Sequence, residues 1–214
     1  MLAACAGRRV ELVLLTHGHA DHAAGARALA ARAAAPLAAL DPAWATPGAP
    51  DLAHGAGLDA AGLRLEPVPT PGHAADHCCY HLPAERAMLT GDHVLGRGTS
   101  VVEWPGGDMA AYLASLRRLL DFDLGRLYPG HGPPVDDPRE RVAAYLVHRR
   151  EREAQVLAAL AAGARTPAAI VAQVYAGVDP ALHPAAELSV RAELAKLAGE
   201  GRVRAAGDAV EPAG

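Results

Sequence analysis

Within the stretch Thr16-His17-Gly18-His19-Ala20-Asp21-His22, three imidazoles and a carboxylate fall inside six residues. The stretch directly follows the apolar run Leu12-Val13-Leu14-Leu15, which reads as a strand ending in a turn. Imidazole nitrogen together with carboxylate oxygen is a donor set for zinc or a similar first-row divalent ion. In an extended segment, residues two apart point the same way, so His17 and His19 can bind one ion side by side. Asp21 and His22 come after the chain turns and can face a second ion. The competing reading is a solvated histidine-rich loop.

Similar residues recur at the ends of later apolar runs. His73 closes Pro69-Thr70-Pro71-Gly72-His73 behind a predicted strand over 63–68. Asp92 follows a hairpin predicted over 77–82 and 86–90, in Gly91-Asp92-His93. His131 sits in Pro129-Gly130-His131-Gly132 behind a short strand over 126–128. Each candidate ligand lies in a glycine-containing turn at a strand end, which is where α/β scaffolds build their sites.

The remaining elements follow from caps and periodicity. Residues 1–9 read as the stub of a helix, 23–34 as an Ala/Arg helix stopped by Pro36, 36–40 as a short strand and 41–57 as loop. Asp108 caps a helix to about Leu120, and Thr99 to Gly107 is irregular. Asp137 and Pro138 open a helix to about residue 162. Thr166-Pro167 opens one to Tyr175, and His183-Pro184 one to Leu197. Residues 201–210 then read as two short strands around Gly207-Asp208. Helices followed by a small hairpin suggest a winged-helix module, with the division inside the long helix: residues 1–149 and 150–214.

The chain has 214 residues and a net charge of −4, which argues against bulk attraction to nucleic acid or an anionic membrane. Residues 138–214 carry ten basic against nine acidic side chains, and residues 1–137 ten against fifteen, so neither half has a basic stripe. Half of the residues are hydrophobic, but aromatics are only 4%, so alanine makes the core thin and its outer layer helical. The three cysteines, Cys5, Cys78 and Cys79, form no metal or redox spacing, which suits a reduced, cytoplasmic protein. Leu2-Ala3-Ala4-Cys5 lacks the basic and apolar regions that would precede a lipoprotein cleavage site. No uncharged apolar run is long enough for a membrane span.

Taken together, Thr16–His22, Thr70-Pro71-Gly72-His73, Thr90-Gly91-Asp92 and Tyr128-Pro129-Gly130-His131-Gly132 resemble the metallo-β-lactamase fold in order and approximate spacing. Three features refine this to a resemblance to the β-lactamase-like protein 2 type. They are the run Gly91-Asp92-His93-Val94-Leu95-Gly96-Arg97-Gly98-Thr99-Ser100, a helix with Tyr145 and His148-Arg149, and the winged-helix-like tail. The resemblance implies an α/β fold, an αββα sandwich, followed by the helical winged-helix-like domain. It implies that His17, His19 and His73 hold one ion, that Asp21, His22 and His131 hold a second, and that Asp92 bridges them. Two cations at about 3.5–4 Å need such an anionic bridge, and water between them is acidified into a hydroxide nucleophile. The expected cofactors are two divalent ions, zinc first, with manganese or iron as alternatives. Asp21 is also a candidate to accept a proton from that water.

The expected function is therefore a binuclear metal-dependent hydrolase acting on a phosphodiester or related ester, with a small-molecule ester or RNA as substrate. The alternatives are a thioester hydrolase of the glyoxalase II kind and a non-catalytic metal- or nucleic-acid-binding regulator. The first is weakened by Gly96-Arg97-Gly98-Thr99, where that family carries Gly-Cys-Gly-Arg. A true β-lactamase is disfavoured because the residue equivalent to Asp92 is generally cysteine there. His77 and His93 are candidates to orient the ligands, and His148 to reach the cleft. His54, His81 and His183 read as structural or solvated, Cys78 and Cys79 as small buried strand residues, and Arg97, Thr99 and Ser100 as ordinary loop, with contacts to a substrate phosphate as the alternative. The resemblance also implies strands, a helix and an Asp-x-Gly turn ahead of residue 10, whereas the sequence starts sixteen residues before His17. The expectation is an incomplete first sheet with an exposed strand edge and poor solubility.

Overall fold

The computed structural model describes Cys5, residues 7–52 and residues 56–213. Most of the expected helix stub over 1–9, and His54, lie outside the described residues. Among the described residues the elements run β1 (Val13–Leu14), α1 (Ala20–Ala23), α2 (Ala26–Ala33) and β2 (Leu37–Ala38). β1 and β2 pair in parallel and, among the described residues, with nothing else. The single helix expected over 23–34 is two. It starts at Ala20, breaks at Ala24–Gly25, and so places Asp21 and His22 in the first turn of α1.

Five strands make the main sheet: β3 (Leu58–Ala60), β4 (Leu63–Pro69), β5 (Cys78–Leu82), β6 (Ala87–Gly91) and β7 (Arg126–Pro129), paired in that order. β3 to β6 form an antiparallel meander, and β7 returns parallel to β6 after α3 (Met109–Leu119). β3 escapes the sequence because it has three residues and its turn is Ala61-Gly62, both at positive φ, not Asn-Gly.

This topology decides where chemistry can gather. β4, β6 and β7 run in one direction, so His73, Asp92 and His131 emerge at one rim of the sheet, while β5 runs back. The end of β1 is tied to the same rim, where the Cys78 amide donates to the Thr16 carbonyl at 2.8 Å and the Tyr80 hydroxyl to the Leu15 carbonyl at 2.6 Å.

β5 is buried on both faces. Cys78, Tyr80 and Leu82 pack with Ala38, Leu52 and Leu65 between the two sheets. Cys79 faces the other way, with Val68, Met88 and Leu127, against Tyr112 and Leu116 of α3 and Val142 and Tyr145 of α4 (Pro138–Ala161). α1 and α2 cover β1 and β2 by packing Ala23, Ala26 and Ala30 against Leu15 and Leu37, completing helix, sheet, sheet and helix layers. Burial pushes the Cys78 thiol up to about 12, and both neighbouring cysteines are inert core residues, as expected.

The second half of α4 belongs to another core. Val156 and Leu160 pack with α5 (Pro167–Val174), α6 (His183–Gly199) and the hairpin β8 (Val203–Ala206) and β9 (Ala209–Pro212). This is the expected winged-helix arrangement. Asp108, Asp137 and Thr166 each accept from the amide three residues on, which is why these three helix starts are readable. No described helix is long and apolar enough to cross a membrane.

Candidate metal centre

The seven expected ligands converge in two groups, and in each the donor atoms lie within 4.8 Å of one another: His17, His19 and His73, then Asp21, His22, Asp92 and His131. In the first group His73 Nε2 lies 3.3 Å from His17 Nε2 and 3.0 Å from His19 Nδ1. Metal–nitrogen bonds of about 2.0–2.1 Å put tetrahedral ligand atoms roughly 3.3 Å apart, so this spacing suits a cation. The other ring nitrogen of His73 settles its tautomer. His73 Nδ1 donates to the Val101 carbonyl at 2.7 Å, and His17 Nδ1 lies 3.1 Å from the Thr16 hydroxyl. His73 therefore keeps its Nε2 lone pair free for the space between the rings. Burial first, then the neighbouring imidazoles, drive His17 down to about 3, and burial also lowers His73. Neutral imidazole is the form that binds a metal.

In the second group His131 Nε2 is 3.1 Å from Asp21 Oδ2 and 3.5 Å from Asp92 Oδ2. His22 Nε2 is 3.2 Å from Asp92 Oδ1, yet both atoms are buried and out of line for a hydrogen bond. A cation held between them would serve both atoms. Asp92 Oδ2 is also 3.9 Å from His73 Nε2, so one carboxylate faces both groups. Burial opposes ionisation of Asp92, but His22, His131 and His73 outweigh it and hold the carboxyl low, while Asp92 raises His22. The donor set thus fits two divalent cations of the zinc, manganese or iron kind. The two groups differ in access. His17 is buried, whereas the side chains of Asp21 and His131 are 58% and 52% exposed.

Asp21 is held below the usual carboxylate range. Slight burial works against this, and its own backbone amide, His22 and a hydrogen bond from His131 prevail.

Gly130 shows how tightly the turns are drawn together. A β-carbon there would lie 2.7 Å from both Asp92 Oδ1 and His22 Cε1. Gly91, at φ +46°, would bring one to 2.8 Å from His77 Nε2.

His77 fills the orienting role expected of it. Its Nε2 accepts from the Asp92 backbone amide at 3.2 Å, and its Nδ1 donates to Thr70 Oγ1 at 2.8 Å. His93 does not: its ring nitrogens have no hydrogen-bond partner and the ring lies against Tyr112 at 4.8 Å, so no bond from it steers Asp92. His81 is paired with Glu66 and His183 with backbone carbonyls, both structural.

Ser100 is more than ordinary loop. Its hydroxyl donates to the Asp92 carbonyl and sits 3.2 Å from His73 Nδ1, touching both ligand turns. α4 holds this loop: Arg141 donates to the Leu95 and Gly98 carbonyls, Tyr145 Oη accepts from the Leu95 amide, and Arg149 donates to the Ser100 carbonyl. Positions 141, 145 and 149 share one helix face. That spacing of polar side chains beside an apolar stripe is the signal from which these roles could have been read.

Residues 1–131 match the metallo-beta-lactamase superfamily, and residues 166–211 match the beta-lactamase associated winged helix domain. A beta-lactamase-like protein 2 homolog of Drosophila melanogaster is 31% identical over 218 residues, covering 94% of this chain and 73% of that protein. The thioesterase pkgB of Emericella nidulans is 40% identical over 155 residues, covering 70% of this chain and 42% of that protein. A solved beta-lactamase domain protein from Burkholderia ambifaria superposes with a TM-score of 0.82 at 22% identity, over 97% of this chain and 75% of its own, and shares the fold. The chain spans about half the length of several curated relatives it matches.

Proposed function

Because the chain belongs to the metallo-beta-lactamase superfamily, we propose that it is a two-metal hydrolase of carboxylic thioesters or related esters. The observation that carries this is the pair of converging donor groups with Asp92 facing both. Two divalent cations bound there would supply an acidified water and polarise the scissile carbonyl. His17, His19 and His73 would hold one, Asp21, His22 and His131 the other, with Asp92 between them.

The remaining work falls to this chain's own groups. Asp21, ionised and open to solvent beside His131, accepts the proton of the attacking water. The water oxygen bonds to the carbonyl carbon and the carbon–sulfur bond breaks. The thiolate leaves with a proton returned through Asp21, and the acyl group leaves as a carboxylic acid. His77 and Ser100 keep Asp92 and His73 in register by binding the backbone and ring atoms the cations do not use.

The thioester reading takes support from the similarity to a thioesterase. A phosphodiester reading takes support from the basic side chains Arg149 and Arg152 beside the Thr99–Ser100 loop, since phosphoryl transfer uses the same pair of cations. A panel on metal-loaded protein separates them: an acyl thioester, a bis-aryl phosphodiester, single-stranded RNA and a β-lactam. Thioester turnover at least about tenfold above the phosphodiester is expected. Turnover of RNA or the phosphodiester alone would overturn the thioester reading, and no turnover of any substrate would overturn hydrolysis.

A further inference from the structure

A cavity of about 280 Å³ opens between the Thr99–Val101 loop, the middle of α4 and the winged-helix module. Its walls are Val101, Tyr175, Val178 and Leu182 on the apolar side and His148 and Arg152 on the polar side. Among the described residues lining it there is no carboxylate, in a chain whose net charge is −4. His148 and Arg152 continue the face of α4 that carries Arg141 and Tyr145, seven and eleven residues on. That face first holds the ligand loop and then lines the cavity.

Two details mark the cavity as a place for a ligand. His148 Nδ1 is buried with no hydrogen-bond partner, although its Nε2 is met by Arg152 at 3.4 Å. Arg152 lies 4.7 Å over the Tyr175 ring and is anchored to Gln155 Oε1 at 2.8 Å, so its positive charge is held without an acidic partner. A fixed guanidinium beside apolar walls suits an anion on an apolar body. The cavity shares the Ser100–Val101 wall that touches His73, which joins it to the candidate metal centre.

We infer that this cavity binds the non-reacting end of the substrate, an apolar group bearing a carboxylate or phosphate. The inference rests on the hydrolase reading for the word substrate, but binding is measurable without turnover.

The matched probes are 3-phenylpropionate and its neutral amide, titrated calorimetrically into the metal-loaded full chain. One equivalent of the acid is expected to bind, at least about tenfold tighter than the amide. Arg152→Gln should remove the difference between the two, and Ser189→Phe, which fills the cavity from α6, should weaken both. Circular dichroism checks that each variant folds, and if Ser189→Phe does not, Arg152→Gln decides alone. Equal affinity for acid and amide overturns the proposal. So does acid binding that Arg152→Gln leaves unchanged, because the probe would then sit elsewhere, the cations included. Failure of the substrate panel with probe binding intact would sink the hydrolase and leave the cavity standing.

Discussion

At the sheet rim, His22 Nε2 and Asp92 Oδ1 are buried 3.2 Å apart without an aligned hydrogen bond. In the C-terminal module, by contrast, Glu153 binds both Lys196 and Arg202, and Arg191 binds both Glu187 and Asp208. Both regions crowd ionisable side chains. At the rim imidazole and carboxylate donor atoms converge within 4.8 Å of one another, and such a cluster is stabilised once a cation fills it. Convergence of donor atoms from separate turns, more than the density of charged residues, marks the place suited to a cation.

Removing the shared carboxylate breaks this contrast most directly. Asp92→Ala is expected to cut turnover by at least about 10³-fold, since a bridging ligand supports several kcal/mol of charge stabilisation. Metal analysis should show fewer than two equivalents. Two tightly bound equivalents in the variant would mean that Asp92 bridges nothing.

Gly130→Ala tests the same rim without replacing a candidate ligand. The new methyl would press on Asp92 and His22, so the second cation should be lost or weakened by about a hundredfold while the first stays. Competition with a chromophoric chelator reads both sites. Unchanged affinity at both sites would show that the turn has slack.

The candidate ligand turns were legible from sequence for a physical reason: His17, His19, His73, Asp92 and His131 follow strand ends, in turns whose glycines let backbones close. Asp108, Asp137 and Thr166 were legible because a cap is a local device. β3 was not, because three residues give no period and Ala61-Gly62 gives no hairpin signal. Ser100 was not, because its value comes from the carbonyl of Asp92 and the ring of His73, contacts that exist only after β4 and β6 are aligned. The early start of α1 was hidden because a four-residue helix with no side-chain cap has no signature of its own.

Arg149 joins the two regions. Its guanidinium binds the Ser100 carbonyl and lies 5.1 Å over the Tyr112 ring. Arg149→Met should leave that carbonyl unpaired, cost about 1–3 kcal/mol of stability and lower metal affinity about tenfold. Arg149→Lys should restore part of the affinity. A methionine variant that loses stability but binds both cations normally would confine Arg149 to the fold.

The smallest effect on activity is expected at Glu193, where the C-terminal module departs from its own pattern. Its carboxyl is buried, and Oε1 has no hydrogen-bond partner. Burial, reinforced by Glu153 of α4, pushes the group up to about 7, against the pull of Lys196, 3.5 Å away, and of Arg149. Lys196 is itself shared with Glu153 and Glu200, so it cannot fully serve Glu193. The folded state therefore holds a proton that the unfolded chain releases near pH 4.3. The stabilisation is complete below that value and is lost as pH rises through about 7, by on the order of 2–3 kcal/mol. Glu193→Gln keeps the neutral shape, so its urea midpoint should stay nearly flat between pH 5 and 8 where the parent's falls, with turnover unchanged. A parent whose stability rises over that interval would mean that Glu193 is ionised in the fold and that the module, unlike the rim, leaves none of its acceptors wanting.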